Sequence, residues 1–266
     1  MAERHARGIA ALLCLLALPS PAVGQDASVP SSFAQGATED KSRSSAAPGA
    51  SVDKNFFQTI TDGVKSVVSE ESVPLLSTAA AVALFASPFD ESLTYSASCS
   101  TFLKTTFDGW ARIAGQEWVL GGAALATFAF GRATDDAKVS ALGGDMMHAQ
   151  LLAGVTTFAM KHAIQRSRPD GEARSFPSGH AAGTFAAATV VQRHYGLKGA
   201  IPAYTAAVLI SGARLQANAH YATDLIIGAT VGILSGRAAT FDLGGRRLSL
   251  SPAVTDGGVL MAASIR

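Results

Sequence analysis

Apolar residues recur along most of this chain with the spacing of a helix face. Phe57, Ile60, Val64 and Val67 follow one another at intervals of three and four residues, which places them on one side of an α-helix. Prolines lie at or near several boundaries of the later apolar segments, where a proline disturbs a helix least. The pattern predicts further helices at 74–86, 101–113, 118–131, 146–167, 180–194, 201–215 and 220–239. The predicted fold class is therefore all-α, a bundle of seven or eight helices.

Two stretches of different character flank this helical region. Residues 25–52 are rich in Ser, Ala, Gly, Pro and Gln, and such a segment cannot bury enough apolar surface to offset the entropy of ordering. We expect a flexible leader there and one helical domain over 53–240. In 241–266, Leu248 and Leu250 alternate with polar residues and an Asp-Gly-Gly turn signal follows, which predicts a small C-terminal β-hairpin.

The first 24 residues have the pattern of an export signal. Arg4 and Arg7 precede an apolar run at 9–18, and small residues then offer a cleavage site before Gln25. The run of about ten apolar residues is too short to cross a bilayer, which needs roughly 20. We therefore expect residues 1–24 to be a signal peptide and the mature protein to be exported to the periplasm.

The uncharged segments are long for a soluble helix and short for a membrane span. Fourteen uncharged residues separate Glu117 from Arg132, and fifteen separate Lys198 from Arg214, against about 20 for a full crossing. These lengths favour a bundle that is soluble or lies at a membrane surface. Membrane insertion stays the alternative, and the sequence leaves the oligomeric state open.

Composition narrows the class of partner. Aromatic residues make up 7% of the chain, and Ala and Gly supply much of its apolar content, which suits helices that approach one another closely. The formal net charge is +1, with no long run of Lys or Arg. Nucleic acid is therefore not an expected partner, because the electrostatic footprint for it is absent.

Two cations stand together near the end of the helix predicted at 146–167. Lys161 and Arg168 are seven residues apart, so on a helix they lie on one stripe two turns apart, and Pro169 ends that helix. Alone, such a pair is more often a solvated basic face, and Lys161 and Arg166 can be read as surface residues.

A second cluster opens the next predicted helix. Ser178 is a preferred N-cap residue, Gly179 lets the backbone approach a ligand closely, and His180 follows. The free N–H groups and the dipole of a helix N-terminus bind anions. By itself the segment favours an ordinary capped helix over an anion site.

The third cluster holds a second histidine. His220 and Asp224 are four residues apart, so a helix would place the carboxylate one turn from the imidazole, where it can fix one ring tautomer and stabilise the imidazolium. Arg214 precedes them and is expected to reach over the same pocket. An isolated pair of this kind is usually structural, but the three clusters together supply cations, N–H donors and an oriented nucleophile, as phosphoryl transfer requires.

The order and spacing of these clusters resemble the type 2 phosphatidic acid phosphatase and vanadium haloperoxidase superfamily. The residues that carry the resemblance are Lys161, Arg168-Pro169, Pro177-Ser178-Gly179-His180, Arg214, His220 and Asp224. They lie within about 140–240. The resemblance implies an all-α bundle, metal-free hydrolysis of a phosphoester with no cofactor, and a covalent phosphohistidine.

The resemblance also implies a role for each matching residue. His220 is the nucleophile, Asp224 orients it, and His180 protonates the leaving oxygen. The residues assigned to the phosphate are Lys161, Arg168, Ser178, Gly179 and Arg214. The family commonly has Ser directly before the third-motif Arg, where this chain has Ala213, so we expect weaker anion binding with the activity retained.

The leading hypothesis is therefore an exported phosphatase whose favoured substrate is a lipid phosphate, such as phosphatidate, a phosphatidylglycerol phosphate or a polyprenyl diphosphate, with a soluble phosphomonoester as the other option. One alternative is a vanadate-dependent haloperoxidase, although nothing here resembles the additional helical domains that such enzymes usually carry. Another is a non-enzymatic phosphate- or lipid-binding module, which would not need His180, His220 and Asp224 together. His148, His162 and His194 form no metal-ligand pattern and are expected to be structural or at the surface.

Overall fold

The computed structural model describes residues 69–240 without a break, with 61, 64–65, 67, 242–243, 246–255 and 258–265. The predicted signal peptide, the leader and most of the first predicted helix lie outside the described residues. From residue 69 onward, the described part of the chain forms seven α-helices and three strands. The helices are α1 Val73–Ala86, α2 Asp90–Ser98, α3 Thr101–Ala114, α4 Glu117–Ala133, α5 Ala137–Ile164, α6 Gly179–Gln216 and α7 Ala222–Ala239. The all-α prediction is confirmed.

Helix α6 contains a break at Gly196, whose φ of 63° and ψ of −153° are not helical. Such a conformation is accessible mainly to glycine. The break divides α6 into the two helices that the sequence predicts at 180–194 and 201–215.

Helix α5 begins nine residues before its predicted start at 146, so that boundary was wrong. Asp136 caps it, because its carboxylate accepts hydrogen bonds from the backbone N–H groups of Lys138 and Val139 at 2.9 and 3.1 Å. Asp and Asn are strong N-cap residues. The stretch that follows Asp136 contains glycines, which weaken the helical pattern of apolar residues before 146. The helix ends at Ile164, since Gln165 adopts the left-handed conformation.

Helix α2 was not predicted from the sequence. Most of its residues are polar or small, and those that it buries include Asp90 and Thr94 as well as Ala97. A helix that buries polar groups gives no apolar stripe to detect. It is nevertheless the element that brings Asp90 into the interior of the bundle.

The core lies between α6 and α7, which pack closely through a stripe of small residues. A Cβ atom on Gly232 would lie 2.3 Å from the carbonyl oxygen of Ala182, and one on Gly228 would lie 2.5 Å from that of Ser178. The backbones can approach this far only because side chains are missing there. As a result the N-terminal ends of α6 and α7 are adjacent, and the Ser178 N–H donates to the Asp224 carbonyl oxygen at 3.0 Å.

Among the described residues, one helical stretch is long and apolar enough to cross a membrane, Val73–Ser98, with a mean hydropathy of 1.4. Only 17% of its most apolar part is buried within the protein. Leu84 and Phe85 on α1 are each 74% exposed. The length, the composition and the exposed apolar side chains of this stretch suit contact with an apolar medium.

Three strands follow α7, namely β1 Asp242–Leu243, β2 Arg246–Thr255 and β3 Gly258–Ile265. Strands β2 and β3 pair antiparallel, from Leu248 opposite Ile265 to Thr255 opposite Gly258. The hairpin predicted at the C-terminus is thus formed, and β2 lies against α5.

Candidate active site

The predicted site residues come from the ends of three helices and from the loops between them. Lys161 lies in the last turn of α5, Ser178 caps α6, Arg214 lies in the last turn of α6, and Asp224 lies in the first turn of α7. The close packing of α6 on α7 and of α5 on both helices brings these ends together. The site is therefore assembled by the tertiary structure from residues up to 63 positions apart.

His220 lies just before α7, not within it. The prediction of one helix carrying both His220 and Asp224 was therefore wrong, because α7 begins at Ala222. The two side chains still approach, with 3.9 Å between His220 Nδ1 and Asp224 Oδ2. Both are buried, with side chains 3% and 0% exposed.

Ser175 connects the imidazole to the carboxylate. Its hydroxyl donates to Asp224 Oδ2, and its oxygen lies 3.5 Å from His220 Nδ1. With Nδ1 protonated and directed to this hydroxyl, Nε2 keeps the lone pair that a nucleophile needs. Ser175 is fully buried. The orientation of His220 thus depends on a serine that the sequence analysis did not single out.

The electrostatics of the site keep His220 neutral. Burial lowers its pKa well below the usual value, and the charges of Lys161, Arg214 and Arg168 lower it further. A neutral imidazole is the nucleophilic form. Lys161, Arg168 and Arg214 are therefore all near enough to act electrostatically on this ring.

The two cations of the first cluster do not share a helix. Lys161 is helical, but α5 ends at Ile164 and Arg168 lies in the following loop, so the prediction of one stripe was wrong. The Lys161 ammonium donates to the Arg174 carbonyl oxygen at 2.9 Å. Burial and the neighbouring Arg168 lower the pKa of Lys161. The loop therefore brings the two cations together, as the site requires.

Arg168 is held in place by its own loop. Its guanidinium donates to the exposed Glu172 carboxylate at 2.7 Å, and its backbone N–H donates to the Glu172 carbonyl oxygen at 2.7 Å. Its Nε is buried and has no hydrogen-bond partner among the described residues. A buried donor of this kind is suited to an anionic oxygen.

Ser178 and Gly179 form the N-terminus of α6 as predicted. The Ser178 hydroxyl accepts from the Ala181 N–H at 3.4 Å. A Cβ atom on Gly179 would lie 2.7 Å from Glu117 Oε1, so the absence of a side chain makes room for Glu117 at the start of α4. That carboxylate is also close enough to raise the pKa of Lys161.

His180 faces the same cations from the first turn of α6. Burial lowers its pKa to about 4, and Arg214 is the second cause. Its Nε2–H donates to the Arg112 carbonyl oxygen at 3.2 Å. A Cβ atom on Gly115 would lie 2.6 Å from its ring, so the turn after α3 fixes the position of this imidazole. A bound phosphate would bring negative charge to this site and raise the pKa of His180.

A surface position was one reading of Arg166 from the sequence, and the contacts of its half-buried guanidinium do not support it. Its guanidinium donates to the buried carboxylates of Asp224 at 2.9 Å and Asp90 at 2.8 Å. Arg166 lies between Lys161 and Arg168 in the sequence, and nothing in that local pattern shows that its side chain turns inward. Asp90, 134 residues before Asp224, gives no sequence signal either, because neither a motif nor a period connects the two.

Three further histidines lie in the described part of the chain. His194 Nε2 lies 2.7 Å from Asp145 Oδ2, His148 is buried with a pKa lowered by burial to about 4, and His162 is exposed. Among the described residues no three His, Cys, Asp or Glu side chains are grouped as metal ligands. The structural and surface roles expected for these histidines agree with these positions.

Comparison with known proteins gives a match over the same part of the chain. Residues 144–246 match the family model described as the PAP2 superfamily, and all eight predicted site residues lie within them. A lipid A 1-phosphatase of Porphyromonas gingivalis is 39% identical over 99 residues, which are 36% of this chain. The chain spans only 22% of the length of that relative.

Two solved structures are similar in backbone. LpxE of Aquifex aeolicus is 26% identical, with a TM-score of 0.45 over 53% of this chain and 86% of that chain. A transmembrane PAP2-type phosphatidylglycerolphosphate phosphatase of Bacillus subtilis is 19% identical, with a TM-score of 0.48 over 70% of this chain and 92% of that chain.

Proposed function

We propose that the protein is a metal-independent phosphatase of the PAP2 type, acting through a phosphohistidine at His220, and the match of residues 144–246 to the PAP2 superfamily model supports this. The observation that carries this proposal is a buried His220 imidazole whose pKa is lowered by burial and by the charges of Lys161, Arg168 and Arg214. Cations placed around the equatorial oxygens stabilise the phosphoryl group during its transfer. A neutral Nε2 can attack the phosphorus atom in line with the bond to the leaving oxygen.

The reaction has two steps. His220 Nε2 bonds to phosphorus as the bond to the leaving oxygen breaks, and His180 gives that oxygen a proton. A water molecule then attacks the phosphohistidine, His180 takes a proton from this water, and phosphate leaves with the imidazole restored. Ser175 and Asp224 hold the His220 ring and stabilise the charge that it acquires on attack.

We propose a lipid phosphate as the substrate class. The relative named lipid A 1-phosphatase supports a phosphorylated lipid. Two exposed apolar side chains are close in sequence to residues of the site. Trp118 follows Glu117 and is 72% exposed, and Phe158 lies three residues before Lys161 and is 65% exposed. Large apolar side chains at a polar site suit a substrate with a charged head and apolar chains. The same side chains would place the mouth of the site at a membrane surface, with or without insertion of Val73–Ser98.

A substrate panel tests this proposal. We expect kcat/KM for phosphatidate or lipid A in mixed micelles to exceed that for a small aryl phosphate by about tenfold or more, because apolar contacts are worth roughly 25 cal/mol per Å². Vanadate should inhibit and a chelator should have no effect. Phosphate release should be measured with and without detergent, with a polyprenyl diphosphate included.

The outcomes separate the alternatives. Faster hydrolysis of the aryl phosphate in both conditions would exclude the lipid preference while leaving the phosphatase. Oxidation of bromide by peroxide after addition of vanadate, without phosphate release, would identify a haloperoxidase. Binding of phosphatidate vesicles without either reaction would identify a binding module.

We also propose that the protein is exported, on the pattern of basic, apolar and small residues in 1–24. Expressed in a bacterium, the mature chain is expected to begin near Gln25, as measured by N-terminal sequencing. An alkaline phosphatase fused after Arg266 should be active only if the fusion reaches the periplasm. Recovery of uncleaved, inactive fusion in the cytosol would refute export.

A further inference from the structure

One side chain outside the predicted motif residues bridges the site to the N-terminal helices. Arg166 donates from Nη1 to Asp224 Oδ1 at 2.9 Å and to Thr223 Oγ1 at 2.7 Å. It donates from Nη2 to Asp90 Oδ2 at 2.8 Å. Its guanidinium carbon lies 4.2 Å from the centre of the Tyr221 ring. A planar, forked cation is suited to this bridge, because it can serve two carboxylates at once.

Asp90 is itself anchored on the first turn of α7. It accepts from the Thr223 N–H at 3.0 Å and from the Thr223 hydroxyl at 2.6 Å. Its side chain is only 4% exposed. Asp90 belongs to α2, which precedes the segment matched to the superfamily. The first turn of α7 is thus fixed by a carboxylate from a different part of the chain.

The two oxygens of Asp224 have different partners. Oδ2 accepts from the Ser175 hydroxyl and from the Tyr221 N–H, the latter at 2.9 Å. Oδ1 accepts from Arg166. This carboxylate is fully buried, so an oxygen without a partner would carry a large cost and the group would rotate or take up a proton. Rotation would move Oδ2 away from Ser175, which stands between Asp224 and His220.

We propose that Arg166 and Asp90 are positioning residues for the reaction, which hold the Asp224 carboxylate so that Ser175 and His220 stay aligned. The proposal rests on the phosphatase function proposed above. Neither side chain is assigned to the substrate, so their loss should lower kcat and leave substrate binding nearly unchanged.

Charge gives the positioning role a distinctive signature. Burial raises the pKa of Asp224, whereas the Ser175 and Tyr221 hydrogen bonds and the Arg166 charge lower it. Asp90, also facing this carboxylate, raises the pKa, and Lys161 on α5 is close enough to sense Asp224. Removing the Arg166 charge should therefore raise the pKa of Asp224. If the reaction needs the ionised carboxylate, activity should then be lost at a higher pH as the solution is acidified.

The main test is kinetic and uses the full chain. Arg166→Gln is expected to lower kcat by about 10- to 100-fold, the scale of effects from small misplacement of reacting groups. KM and the inhibition constant for inorganic phosphate should change by less than about threefold. In the plot of kcat against pH, the acid limb, where kcat falls as the solution is acidified, should move to higher pH. Arg166→Lys should restore the acid limb but only part of kcat, because an ammonium cannot bridge both carboxylates in plane.

Asp90→Asn provides a second variant from the other side of the bridge, and it should lower kcat with KM retained. Asp145→Asn is the matched control, since it breaks another buried pair, to His194 at 2.7 Å. The control should lower the melting temperature without moving the acid limb. Wild-type kcat and an unmoved acid limb in Arg166→Gln would overturn the proposal. A higher KM and phosphate inhibition constant at unchanged kcat would also overturn it, because Arg166 would then be a phosphate ligand.

A readout without turnover keeps this test separate from that of the proposed function. Nitrogen NMR of ¹⁵N-histidine protein reports the tautomer of each ring, with the His220 signal identified by its absence in His220→Ala. The wild type is expected to show one tautomer with Nδ1 protonated, and Arg166→Gln a mixture. A single, unchanged tautomer in Arg166→Gln would refute the positioning role even if no phosphatase substrate were found.

Discussion

His220→Ala is expected to abolish turnover of every phosphate substrate, with a loss on the order of 10⁴-fold or more, as for removal of a catalytic nucleophile. The physical reason is that no other imidazole in the described part of the chain is linked to Ser175 and Asp224 in this way. After mixing with a ³²P-labelled substrate and rapid denaturation, the wild type should retain an acid-labile label, and the variant should retain none.

The surface histidine His162 provides the control for this experiment. It is exposed, and its Nδ1 interacts locally, with the Phe158 carbonyl oxygen at 2.8 Å, so His162→Ala should label and turn over as the wild type does. Circular dichroism should show the same helix content in all three proteins. Equal trapping of label in His220→Ala and the wild type would exclude His220 as the attacked residue.

His180→Ala is expected to slow alkyl and lipid phosphates by about 10² to 10⁴, the usual contribution of general acid catalysis. An alkoxide leaves poorly without a proton, whereas a nitrophenolate leaves unaided. Hydrolysis of a nitrophenyl phosphate should therefore fall by less than about tenfold. The ratio of kcat/KM values for the two substrates is the measurement, because errors in active-site concentration cancel in it.

The pH dependence follows from the same group. In the site without substrate, burial lowers the pKa of His180 to about 4, so His180 is neutral at neutral pH and its proton must be acquired from solution or from the substrate monoanion. For alkyl phosphates, kcat/KM should then fall as pH rises above about 6, the second pKa of a phosphate ester. Equal slowing of aryl and alkyl substrates in His180→Ala would argue against a leaving-group acid.

The helical bundle was readable from the sequence because its helices carry long apolar segments with clear ends. Helices α1, α3 and α4 begin and end within three residues of their predicted bounds. Helix α2 was missed because it buries Asp90 and Thr94 in place of an apolar stripe. The start of α5 was misplaced because a single capping side chain, Asp136, decides where that helix begins.

The candidate residues were also readable, because each motif is local in sequence and its residue types have a clear chemistry. In the folded chain, Lys161, Arg168 and Arg214 each act electrostatically on both His180 and His220. Their assigned roles stay predictions until the variants are measured. Ala213, which stands where the family commonly has Ser, packs in a buried apolar cluster with Ala111 and Ile210.

The sequence by itself determined most of the helices and the set of side chains proposed to act on a phosphate, because helical periodicity and local motifs depend on residues close in the chain. Only the tertiary structure decided that Arg168 reaches the site from a loop, that Ser175 stands between His220 and Asp224, and that Arg166 turns inward to Asp90. The contacts of Ser175 and Arg166 join positions from 45 to 76 residues apart. Such contacts form only when close packing of α6 on α7 removes water from charged groups, which must then find partners wherever the fold supplies them.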